Sequence, residues 1–279
     1  MRKMTLLTLI PLTVFLGCAD KDDGSDTGEE SDTDTDTDTD TDTDTDTDPL
    51  EITGDWVDNW GGSWSIDDST IADGWGGSYA ISAFDNDEDW IVAQNGVNNS
   101  YNPELWSQFA WAGDVDSGLY WCQAAYDAAT EADAMSAAGA DSADLDTGCG
   151  GFSWSELRIP LSFAGSYSDS WGANHVVTEF TWTTVSGPDT SIYHIASYEE
   201  GSSVGVIVAQ NDDDNAWSSG LWSRFNWTTN ADGQLFYCQV SYDGASLEDA
   251  EGAADADTSD LNAGCNGFSW TALNVADEE

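Results

Sequence analysis

The chain has 279 residues, 40% of them hydrophobic and 12% aromatic, enough for two domains of about 100–150 residues each. Its formal net charge is −49, from 54 acidic and 5 basic residues. That balance excludes nucleic acid as a partner, because phosphate binding needs Lys/Arg patches, and it excludes electrostatic attachment to anionic lipid head groups. Three physical readings of the acidity stay open: solubility through self-repulsion, adaptation to a salty medium and binding of divalent cations.

Residues 1–17 carry Arg2 and Lys3 followed by the apolar run TLLTLIPLTVFL. That run is too short to span a bilayer and reads as a secretory signal peptide. It ends in Phe15-Leu16-Gly17-Cys18, which resembles the lipobox of bacterial lipoproteins. The resemblance implies lipidation of Cys18 and attachment to a membrane through the N-terminal lipid. By that family's sorting habit Ala19, rather than Asp, after the cysteine is compatible with export to the outer membrane, so the resemblance implies an outer membrane lipoprotein, periplasmic or surface-exposed. Residues 18–48 then read as a disordered acidic tether: Asp and Thr alternate from Asp32 to Asp48, and such a run has nothing to bury on either face. Fully stretched, its 30 or so residues reach on the order of 100 Å.

From Pro49 the chain is written twice, as domains 49–159 and 160–279. LWSQFAWAGDVDSGLYWCQAAYD at 105–127 returns at 221–243 as LWSRFNWTTNADGQLFYCQVSYD, with 11 of 23 positions identical at an offset of 116. The copies open on Pro49-Leu50 and Pro160-Leu161 at an offset of 111, so five extra residues enter the first half of the second copy, around Val185–Ser191 and just after Tyr198. Both places read as turns. Almost no linker separates the copies, which predicts domains packed against each other.

The segments SYAISAF, DWIVAQN, QFAWAG and LYWCQAAY are short, rich in aromatic and β-branched residues, and bounded by Gly/Asp/Asn clusters, the signature of strands. In LYWCQAAY, Tyr120, Cys122, Ala124 and Tyr126 share one face, and Leu119, Trp121 and Gln123 the other. Both faces are partly apolar, which suits the wall of a barrel or sandwich. Thr130-Glu-Ala-Asp133 and Ser246-Leu-Glu-Asp249 read as helix N-caps with a carboxylate three residues on, each opening a short Ala-rich helix. The expectation is an all-β chain of two antiparallel β-meander domains, small barrel or sandwich, each of about six strands with one short helix and one disulfide.

Apart from Cys18 the cysteines fall as Cys122/Cys149 and Cys238/Cys265, 27 residues apart in each copy. Four cysteines allow three connectivities, and the duplication favours Cys122–Cys149 and Cys238–Cys265. With no CxxC spacing and histidines only in the second copy, a metal site fits poorly, so the pairs imply an oxidising compartment.

Gly54-Asp-Trp56 resembles the Gly-x-Trp start of lipocalin-type barrels, an analogy of fold alone. WVDNWG at 56–61, LWSRFNW at 221–227, YWCQ at 120–123 and GCGGFSW at 148–154 together resemble an uncharacterised family of tandem repeats in bacterial lipoproteins. The resemblance covers residues 50–273. It implies a lipid-anchored extracytoplasmic protein and carries no activity with it.

Among candidate sites, Trp60 and Trp171 beside Gly-rich turns are the surface indoles best placed to stack on a glycan or protein ligand, with the unpaired Trp75, Trp90 and Trp217 behind them. Gln94, Gln210, Gln123 and Gln239 are amides kept by both copies in apolar strands, able to bind a ligand if they face a cavity and equally able to satisfy backbone groups. Asp141, Asp144 and Asp146, with Asp257, Asp260 and Asn262 in the second copy, are the candidate ligands for calcium, although Asx turns explain the same residues. No other cofactor is expected. An enzyme is not expected either: His175 and His194 lack counterparts in the first copy, no nucleophile elbow is present, and a carboxylate-based hydrolase would need one defined pair among 39 acidic residues. The leading expectation is therefore a surface binding or interaction module, and the alternative is a structural envelope lipoprotein without a small ligand.

Overall fold

The computed structural model describes residues 48–114, 118–201 and 203–276; the stretch read as a signal peptide, Cys18 and the stretch read as a tether, as far as residue 47, lie outside the described residues. Each copy is an eight-stranded antiparallel barrel, closed and strictly up-and-down. Barrel 1 runs through β1 (Gly54–Asp58), β2 (Ser63–Ile66), β3 (Thr70–Asp73), β4 (Ser78–Asp85), β5 (Trp90–Asn95), β6 (Trp106–Ala112), β7 (Leu119–Ala128) and β8 (Ser155–Arg158), with helix α1 (Glu131–Met135) between the last two. Barrel 2 repeats the plan with β9 (Gly165–Asp169), β10 (Asn174–Val177), β11 (Thr181–Ser186), β12 (Asp189–Glu199), β13 (Gly205–Asn211), β14 (Trp222–Thr229), β15 (Leu235–Gly244), α2 (Leu247–Glu251) and β16 (Thr271–Val275). Eight strands rather than six close each sheet, because two four-residue strands, β2 and β3, complete the wall and β1 pairs back on β8.

Alternation sorts the side chains. Leu119 and Trp121 point into barrel 1, where they join Trp56, Ile71, Ile91, Phe109 and Trp111 in the core. Cys122, Tyr120 and Ala124 point outward and pack instead under the excursion between β7 and β8, against Trp154 and Leu145. The disulfides Cys122–Cys149 and Cys238–Cys265 pin that excursion to the wall, each closing a loop that contributes about 3 kcal/mol in the chain-entropy account. The caps form as expected: the Thr130 and Ser246 hydroxyls accept from the Asp133 and Asp249 amides. The extra residues of the second copy lengthen the β11–β12 hairpin and the connection that follows β12.

The Pro-Leu openings are plugs. Leu50 and Ile52 lie in the core of barrel 1, and Leu161 and Phe163 in that of barrel 2, each closing the end at which the chain enters. The Leu50 amide donates to Asp68 (3.0 Å) and the Leu161 amide to Glu179 (3.0 Å), each in a turn at that same end.

Both barrels belong to one compact unit. Arg158 holds them together. Its guanidinium donates to the carbonyls of Glu179 (2.7 Å) and Ile195 (2.8 Å), pairs with Glu156 and lies 4.5 Å over the Phe180 ring. Tyr198 of β12 donates to the Ile159 carbonyl. No helix among the described residues is long and apolar enough to cross a membrane.

Candidate aromatic binding surface

In an up-and-down barrel, alternate turns share an end. The β1–β2 and β3–β4 turns, the β5–β6 loop and the excursion after β7 all lie opposite the plugged end of barrel 1, and barrel 2 repeats this arrangement. Three of these turns have one design. In Asp58-Asn-Trp60-Gly-Gly62 the Asp58 carboxylate accepts from the amides of Trp60 (2.9 Å) and Gly62 (2.7 Å), while the Gly61 amide returns to the Asp58 carbonyl. Asp73 does the same for Trp75 and Gly77 (2.9 and 2.7 Å), and Asp169 for Trp171 and Ala173 (2.8 and 2.9 Å). The fourth residue has φ of +83° to +92° in all three, a left-handed conformation that favours glycine.

The turn itself does not require the indole. Asn230-Ala-Asp232-Gly-Gln234 makes the same bonds, Asn230 accepting from Asp232 (3.0 Å) and Gln234 (2.9 Å), with Gly233 at φ +80°. There the third residue is Asp232. In the other three it is an exposed tryptophan: Trp60 is 71%, Trp75 70% and Trp171 82% accessible. The β5–β6 loop and its counterpart add Tyr101 and Trp217, at equivalent positions and each 85% accessible. Phe152 and Phe268, on the two-residue turns after Cys149 and Cys265, are also exposed. Trp75 lies against the neighbouring turn, where a Cβ added to Gly62 would meet its ring at 2.5 Å. Trp64 packs edge-on beneath Trp75 (6.4 Å between ring centres) and donates to Asp58. Tyr79 donates to Asp73, and burial first, then that carboxylate, pushes its pKa up to about 12.

The amides separate into two groups. Gln94 and Gln210 lie on the outer wall, exposed, and donate to the Glu104 and Gly220 carbonyls. Gln123 and Gln239 face inward and donate to Ser107 and Ser223 (3.0 Å each). Those hydroxyls donate in turn to Asn95 and Asn211 (2.6 Å), whose amides reach two carbonyls, of Asn102 and Tyr126 or of Ser218 and Tyr242. The network ties the β5–β6 loop and β7 together inside the barrel.

The acidic loops are held by their own backbone. The Asp141 carboxylate accepts from Ala143, and Asp144 accepts from Asp146 and Thr147; Asp257 and Asp260 do likewise for Ser259 and for Asn262 and Ala263. Gly148 is required because a Cβ there would meet the Asp141 carbonyl at 2.0 Å. Hydrogen bonds to Thr147 and Ser259 hold Asp144 and Asp257 below the usual carboxylate range. Among the described residues no group of three or more His, Cys, Asp or Glu is arranged to hold a metal ion.

His175, at the position of Trp64, is buried in barrel 2. Its Nε2 meets Asp169 at 3.2 Å, and its Nδ1 meets the Trp182 indole N–H and the Thr184 hydroxyl, both at 3.1 Å. The indole can only donate, so Nδ1 is the acceptor and Nε2 carries the proton to Asp169. With its free lone pair taken by Trp182, the imidazole has none to offer the Thr184 hydroxyl as a base. Burial outweighs Asp169 and holds its pKa below the ordinary value. The folded state therefore binds fewer protons than the unfolded chain below pH about 6.5, and barrel 2 loses stability as pH falls from there toward the depressed folded pKa. Melting curves between pH 7 and 5 should show this loss, and His175→Gln should abolish it; an unchanged slope would remove His175 as its source.

Comparison of the chain with family models, with curated proteins and with solved structures gives no match.

Proposed function

We propose that the chain is a lipid-anchored, extracytoplasmic binding module that presents rigid aromatic turns to a glycan or protein ligand. One observation carries this reading: an Asx turn that accepts Asp232 at its third position bears an exposed tryptophan there in three other places, all at barrel ends away from the plugs. Exposing a large indole gains nothing in packing and adds a sticky patch, so its recurrence favours use in recognition. The lipobox-like Phe15–Cys18 supports the anchor, and the Asp-Thr tether supplies the spacer. The two disulfides support export to an oxidising compartment, and Ala19 supports the outer membrane. Both arginines of residues 49–279 are engaged, Arg158 with Glu156 and Arg224 with Asp255, so the surface suits neutral or cationic ligands. The module works without a cofactor in this reading, since calcium would have to compete with backbone amides for Asp141, Asp144, Asp257 and Asp260.

The test is a glycan and peptide array probed with the purified chain, with and without calcium. Trp60→Ala, Trp75→Ala and Trp171→Ala together should weaken each captured ligand tenfold or more, with Tm lowered only by the loss of the Trp75–Trp64 contact. Capture that survives the triple variant, or no capture at all, would favour the structural envelope reading.

A further inference from the structure

Two cavities of the molecule are the same place in its two copies. One, of about 450 Å³, lies between the barrels; the other, of about 550 Å³, lies on barrel 2. From barrel 1 the first is walled by Trp56, Leu119, Leu157, Arg158 and Ile159. The second is walled at the equivalent positions by Tyr167, Leu235, Leu273, Asn274 and Val275. On barrel 1 this surface receives Ala196–Glu199 of barrel 2, where a bulge between Ile195 and Ser197 bends β12. On barrel 2 no other barrel of the described chain covers it, and Val275 is 79% accessible. The inserting face has a counterpart too. Ser82–Asp85 of β4 stand at the positions of Ala196–Glu199, and β4 carries the same bulge, between Ile81 and Ala83. The molecule thus has one groove flanked by its own β12, one groove that no second barrel flanks among the described residues, and in β4 a second copy of the flanking strand, whose Ser82 bonds Glu131 within barrel 1.

We propose that the open groove on barrel 2 receives β4 of a second copy, so that chains join head to tail by repeating the contact made inside each one. Such an interface is heterologous and extends rather than closes. Three replacements weaken each join. Asn274 stands where Arg158 reaches across to Glu179 and Ile195, Ser69 stands where Phe180 lies under the guanidinium, and Phe84 stands where Tyr198 donates to the Ile159 carbonyl. Charge weakens it further, since every copy carries a net −49; the repulsion is screened within about 3 Å at 1 M salt but over roughly 10 Å at 0.1 M. Association is therefore promoted by salt and by crowding.

Sedimentation velocity on the full chain carrying Cys18→Ser, so that no lipid drives association, tests this between 0.05 and 1 M sodium chloride. The expected result is a monomer at low salt and concentration-dependent larger species at 1 M. Val275→Asp, at an exposed position, should abolish those species without lowering Tm. Asn274→Arg with Ser69→Phe should strengthen association tenfold or more. A chain that stays monomeric at 1 M salt overturns the proposal, even if the Arg/Phe variant associates. So does association that Val275→Asp leaves intact. Neither outcome touches the aromatic turns, which lie at the opposite ends of the barrels.

Discussion

Asn211→Ala is expected to destabilise barrel 2 by roughly 3–5 kcal/mol, since it deprives three buried or half-buried groups of their partner at about 1–3 kcal/mol each. The Ser223 hydroxyl loses its acceptor, and the Ser218 and Tyr242 carbonyls lose their donor. Asn211 joins the β13–β14 loop to β15 across the barrel interior, so no neighbouring side chain can replace all three bonds. Asn95→Ala should do the same to barrel 1, where the equivalent three bonds are made. The adjacent Gln210→Ala is the control: its side chain is exposed and makes one bond, and the expected cost is about 0.5 kcal/mol or less. Urea titration followed by tryptophan fluorescence measures both. Equal effects from the two substitutions would mean that the network does not hold the barrel end.

Trp182→Ala should cost about 3–5 kcal/mol, as for other large aromatic deletions in a core. Trp182 is fully buried, stacks on Phe225 at 4.8 Å, meets Tyr237 at 5.1 Å and donates its indole N–H to His175. Barrel 1 fills the same space differently. Ile71 stands in the place of Trp182 and Trp121 in the place of Tyr237, and it is Trp121 that stacks on Phe109, at 4.9 Å. The bulk has moved from one strand to another, with Trp64 standing where His175 does. Trp182→Ile alone should therefore leave a cavity, with the Thr184 hydroxyl as the remaining donor to His175 Nδ1. Adding Tyr237→Trp and His175→Trp, which rebuilds the set of barrel 1, should recover most of the loss. A triple variant no more stable than Trp182→Ile would show that the two cores are not interchangeable.

Much of this was legible in the chain because it is written twice. Duplication paired the cysteines, and strict alternation placed Leu119, Trp121 and Gln123 opposite Tyr120 and Cys122. The cap motifs at Thr130 and Ser246 needed only three residues of context. Strand number was less legible: β2 and β3 have four residues each, too short for their alternation to stand out, and what makes them strands is ring closure. That closure depends on Val57 meeting Arg158, about 100 residues away, which no local pattern encodes. Of the polar candidates, Gln123 and Gln239 face inward but are satisfied by serines, and Gln94 and Gln210 face outward. The serine partners signalled nothing by themselves. Trp75 was readable as a surface residue: Asp73-Gly-Trp-Gly-Gly77 repeats the spacing of Asp58-Asn-Trp-Gly-Gly62 within one copy, where a comparison between copies passes over it.

The plug at Leu50 has a mechanical consequence. Tension on the chain ahead of Pro49 enters the fold at this buried side chain, at the bond from its amide to Asp68, and at the bonds that Asn86 makes with the Pro49 carbonyl and the Glu51 amide. Pulling would draw Leu50, then Ile52, out of the barrel end before it loaded a single strand pair of the wall. The corresponding segment of barrel 2, Leu161–Phe163, is held on its upstream side by Arg158 and Tyr198, so the same pull reaches it only after barrel 1 has given way. Barrel 1 is thus placed as the element that yields first, and its aromatic turns would be lost under load while those of barrel 2 persist.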